Sequence, residues 1–134
     1  MRGVGLLDGL IALVILGFGL LAMTQFQSKL IAQSTEAQQR MTAMQLGDEL
    51  LSTVLVDSAN AACYTLPQAG SCASATAQAR ADEWKVRALA ALPGSPTAGS
   101  VLDTGTSRLT VTVTWTGKHT QETRTVQMAT DVRQ

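Results

Sequence analysis

The chain has 134 residues and a mass of 14.1 kDa, room for one modest domain at most. Lys+Arg and Asp+Glu each total 10, so no charge excess draws the whole chain towards nucleic acid or an anionic surface. Cys63 and Cys72, separated by only eight residues, suit one small closed loop better than a four-ligand metal site, and are read as a disulfide formed in an oxidising compartment.

The first element is apolar. From Gly9 to Met23 no residue is charged, and Leu10, Ile11, Leu13, Val14, Ile15, Leu16, Phe18, Leu20 and Leu21 make every helical face greasy. Leu6 to Gln25 supplies the ~20 residues that a membrane span requires, with Asp8 near one end. A secretory signal peptide shares this outline, but TQFQSKLIAQSTEAQQRM follows with no small-x-small cleavage site, and the helical pattern continues. Ala37, Met41, Met44, Leu51 and Leu55 recur at near-helical spacing, interrupted at Asp48, with Leu46, Leu50 and Val54 widening the stripe. No proline occurs before Pro67. The pattern predicts one helix from about Val4 to about Ala62, on the order of 90 Å long at ~1.5 Å per residue. Its first half is lipid-like all round, and its second half is amphipathic and must lie against a soluble domain. Gly17 and Gly19 permit close backbone approach or local unwinding, and equally are common in membrane helices.

Gly3 followed by VGLLDGLIALVILGFGLLA resembles the class III leader and helix of the type IV pilins, in which a prepilin peptidase cuts after a glycine and the fifth mature residue is acidic. Cleavage between Gly3 and Val4 makes Asp8 that fifth residue. Asp82-Glu83-Trp84, Leu92-Pro93-Gly94 and Val113-Thr114-Trp115 extend the resemblance to the minor pilins of the PilV type. The chain departs from the family pattern by starting its mature part with Val4 instead of phenylalanine and by carrying aspartate, not glutamate, at position 8. The resemblance implies an α+β, type IV pilin-like fold: a long N-terminal helix, membrane-spanning in its first half, packed on a small antiparallel β-sheet. It divides the chain into a leader (1–3), a transmembrane and filament-core helix (4–28) and a periplasmic headpiece (29–134). It also implies N-methylation of Val4 and pairing of the Asp8 carboxylate with the freed Val4 amine of a neighbouring subunit. A carboxylate at mid-bilayer costs ~2.5 to 3.5 kcal/mol and less near an interface, so such a group needs a partner. The plainer alternative places Asp8 at the headgroup boundary of an ordinary anchor.

After the helix, DSANAACYTLPQAGSCASATAQ is small and polar, with Pro67 and Gly70 inside the cysteine interval, and reads as an exposed loop. From about Ser74 to Ala91 a second helix is predicted, with Ala77, Ala81, Trp84, Ala88 and Leu92 on its buried face. Leu92-Pro93-Gly94 ends it, and GSPTAGS forms a linker. In RLTVTVTWT, Leu109, Val111, Val113 and Trp115 alternate with Thr110, Thr112, Thr114 and Thr116, which predicts a strand with one buried face. Ser100 to Asp103 and Glu122 to Val132 flank it, giving a three-stranded antiparallel meander with room for a further edge strand.

No catalytic chemistry is expected. His119 is alone in a predicted turn, no phosphate-binding glycine loop or nucleophile elbow occurs, and the Asp48-Glu49 and Asp82-Glu83 pairs read as solvated helix positions. No metal or cofactor is expected either. The resemblance implies a non-enzymatic minor pilin that waits in the inner membrane and then joins a pilus at the cell surface. Its implied partners are the prepilin peptidase, the assembly platform and other minor and major pilins. A minor pseudopilin of type II secretion shares the same leader and helix. A DNA-binding uptake pilin would show a basic stripe, for which Arg80, Lys85, Arg87, Arg108, Lys118, Arg124 and Arg133 are the candidates, interspersed with Glu83, Asp103 and Glu122.

Overall fold

The computed structural model describes residues 4–132, with the side chain of Val4 outside that description. Helix α1 (Val4–Val56) is followed by a 3-10 helix (Ser58–Tyr64), helix α2 (Ala75–Ala91) and strands β1 (Thr97–Asp103), β2 (Arg108–Thr116) and β3 (Thr123–Asp131). Two compact units divide after Thr35.

In the first unit α1 carries its apolar side chains in the open. Leu6, Leu13 and Phe18 are at least 70% exposed, and the helix contains a window of mean hydropathy 2.4, none of it buried, so it is long and apolar enough to cross a membrane.

The second unit has its own core. Here α1 buries Ala43, Gly47, Leu50, Leu51 and Val54, with Met44 and Leu46 partly covered. The expected stripe holds at Leu50, Leu51 and Val54 and partly at Met44 and Leu46, but Ala37, Met41 and Leu55 are exposed, and the buried line also takes in the small residues Ala43 and Gly47. Gly47 lets the Met128 side chain of β3 lie close against α1, because a Cβ there would overlap Met128 Cε and the flexible end of that side chain would have to move. Burying Leu50 and Val54 stabilises by roughly 1.5–3 kcal/mol each.

Helix α1 also ends earlier than the pattern to Ala62 suggests. Asp57 leaves helical geometry (φ −114°, ψ 44°), and its carboxylate accepts from Asn60 Nδ2 at 2.7 Å and from Tyr64 Oη at 2.9 Å. A short polar side chain that satisfies itself locally competes with the helix ladder, and the chain tightens into the 3-10 helix.

Helix α2 begins where Ser74 Oγ accepts from the Ala77 amide at 3.2 Å. Its face of Ala77, Ala81, Trp84 and Ala88 is buried as the spacing predicts, and Leu92 joins it. Trp84 Nε1 donates to the Leu46 carbonyl of α1 at 2.7 Å, tying the two helices. The chain then turns at Gly94 (φ +75°), where a Cβ would sit 2.8 Å from Thr116 Cβ.

The sheet is an antiparallel meander in the order β1-β2-β3, with Val111 opposite Ser100 on one side and Met128 on the other. Leu109, Val111, Val113 and Trp115 are buried, as their alternation requires. β1 starts at Thr97, so the expected linker is already half strand. No complete fourth strand forms among the described residues. Instead Leu66 makes one antiparallel bridge to Ser100 on the outer edge of β1.

Candidate functional site

Of the residues singled out for processing and assembly, Gly3, the rest of the leader Met1–Gly3, and the Val4 side chain lie outside the described residues. Asp8 lies on α1 in the first unit and is exposed, between Leu7 and Leu10, which are themselves more than 60% exposed. Gly5 and Gly9 flank it, and a Cβ on either would meet nothing within 4 Å. Asp8 is the only charged group from Val4 to Ser28. In hydrocarbon a charged side chain needs a partner. Gly17 and Gly19 leave the helix unbroken and have open space beside them.

In the second unit Cys63 and Cys72 form the expected disulfide, with S–S 2.07 Å and Cα–Cα 4.8 Å. The loop it closes is less exposed than its composition suggests. Ala61, Cys63, Tyr64, Thr65 and Leu66 are buried, and exposure begins at Pro67. Three contacts explain the difference. Ser100 Oγ donates to the Tyr64 carbonyl, the Leu66 amide and carbonyl both pair with Ser100 at 2.9 Å, and Thr65 Oγ1 donates to the Ala62 carbonyl at 2.9 Å while accepting from the Ala69 amide at 3.3 Å. The loop is thus a clamp on the β1 edge.

Beside that clamp, Asp57 and Tyr64 form a polar knot that composition did not foretell. The Asn60 amide, then the Tyr64 hydroxyl, hold the Asp57 carboxyl below its ordinary range. Burial, and then the bond to Asp57, push the Tyr64 phenol up. Their partners lie three and seven residues on, a spacing with no recognisable motif. In the β1–β2 turn, Asp103 is lowered by the Thr106 hydroxyl and by the Gly105 and Thr106 amides, which fixes the turn.

Among the described basic candidates, Arg87, Arg108 and Arg124 have acidic partners. Arg87 pairs with Glu49 at 2.5 Å, Arg108 with Asp131 at 3.9 Å, and Arg124 with Glu122 at 2.7 Å and Glu36 at 3.5 Å. Arg80 lies near the Asp57–Tyr64 knot, and Arg133 falls outside the described residues. A shallow groove between α1 and α2 mixes Glu49, Arg80, Glu83 and Arg87 over Trp84. His119 is exposed in the β2–β3 turn, as are Asp48, Glu49, Asp82 and Glu83 on their helices. Among the described residues no three His, Cys, Asp or Glu side chains converge as metal ligands would.

Comparison with known proteins gives no matching family model, no similar curated protein and no similar solved structure. The α+β arrangement, a long apolar N-terminal helix whose second part packs on a three-stranded antiparallel sheet, therefore stands on its own geometry.

Proposed function

We propose that this chain is a minor pilin of a type IV pilus, with a pilin-like fold and an assembly role, not a catalytic one. A prepilin peptidase would cut between Gly3 and Val4 and the Val4 amine would be methylated. The helix would hold the subunit in the inner membrane with the headpiece in the periplasm until the assembly platform transfers it, with other minor and major pilins, into a filament that it primes or caps.

The observation that carries this reading is the division of labour along one 53-residue helix. Its opening is apolar on every side and interrupted only by Asp8, whereas Ala43 to Val54 bury one face in a small disulfide-bearing domain. A helix whose side chains are apolar all round needs lipid or neighbouring helices to cover it. A carboxylate inside it favours a neighbour that brings a positive charge, and cleavage creates one by converting the uncharged Val4 amide nitrogen into an amine. In low dielectric the attraction is strong, and an unmatched charge is heavily penalised, so pairing would act as a register check. The arginine–carboxylate pairs on the headpiece favour this reading over a DNA-binding surface, which needs uncompensated cations.

Intact-mass measurement of the membrane-extracted protein, in cells with and without the prepilin peptidase, tests the proposal. Loss of Met1–Gly3 only when the peptidase is present is expected, and Met1 retained in both would refute it. Asp8→Ala should insert normally yet enter filaments poorly.

A further inference from the structure

We draw no further inference here: the strongest candidate, the groove that Leu66 and Pro67 form with Gly99, Thr112 and Gln127 on the threonine face of the sheet, carries nothing because nothing in the structure shows what covers it.

Discussion

Replacing both cysteines, Cys63→Ala with Cys72→Ala, tests how the headpiece is held. The bond joins residues nine apart, closing ten residues into a ring. The chain-entropy relation for a ring of that size gives about 2.7 kcal/mol of stabilisation through restriction of the unfolded chain. Cys63 is 1% exposed, so its lost sulfur adds roughly 1 kcal/mol of packing. The sum, ~3 to 4 kcal/mol, is a large part of the ~5 to 15 kcal/mol typical of a domain. With a urea dependence of ~1.5 kcal/mol per molar, the unfolding midpoint should fall by roughly 2 M. Trp84 and Trp115, both buried, report the transition by fluorescence for the full chain in micelles, and reduction by a dithiol should reproduce most of the shift. The Leu66 and Ser100 amides should exchange faster in the variant than the Val111 amide, because the ring holds the clamp and β2 does not depend on it. A loss below ~1 kcal/mol would show that the buried contacts of Tyr64 and Leu66 hold the loop alone, and would refute the entropic argument.

Trp84→Phe removes the 2.7 Å bond to the Leu46 carbonyl and part of the ring's packing, and should destabilise by about 2 to 3 kcal/mol in urea unfolding followed by Trp115 fluorescence; less than ~0.5 kcal/mol would contradict the tie between the helices. Gly47→Ala should be near neutral in thermal unfolding, since a helix-propensity gain of ~1 kcal/mol offsets displacement of the flexible Met128 end, whereas Gly47→Leu should cost ~2 kcal/mol or more. Equal melting temperatures for the two would refute the close approach of α1 to β3. Asp57 has its carboxyl lowered from the ordinary 3.8, first by Asn60 and then by Tyr64. Its stabilising contribution is therefore present above that ordinary value and is lost as pH falls through the lower folded value. Asp57→Asn should flatten the acid limb of stability measured by urea midpoints from about pH 6 to about pH 2.5, and an unchanged limb would exclude Asp57 as its source.

The elements legible in the sequence were those with an unambiguous period. β2 falls on RLTVTVTWT because strict alternation over nine residues has one solution, and α2 falls where alanines and Trp84 repeat at helical spacing up to Leu92-Pro93-Gly94. The disulfide could be read because only two cysteines exist. At the N-terminus Asp8 stood out by contrast alone, one acid in an apolar run, and the same contrast marks it on the exposed helix. What could not be read were long-range satisfactions of polar backbone. Nothing local in TLPQAG announces that Leu66 will bridge Ser100 thirty-four residues later, or that DSAN will stop α1 by turning Asp57 onto Asn60 and Tyr64.

The rotated face of α1 follows from the same physics. Between Glu36 and Val56 apolar residues occur on more than one side of the helix, so hydrophobicity alone does not choose the side that meets the sheet. Met41, Leu55 and Val56 are larger than Ala43 and Gly47, yet they are the ones left 60%, 52% and 90% exposed. The choice is made by shape: a sheet already filled by Trp115, Val113 and Met128 accepts a helix only along its narrowest line, and Ala43 and Gly47 supply that line. Leu50 and Val54 then fall on it at the next helical spacings and contribute the apolar area. Hydrophobic periodicity identifies a helix that will be half buried and places Leu50, Leu51 and Val54 correctly, while the smallest side chains, Ala43 and Gly47, mark the line of closest approach that greasiness alone leaves unread.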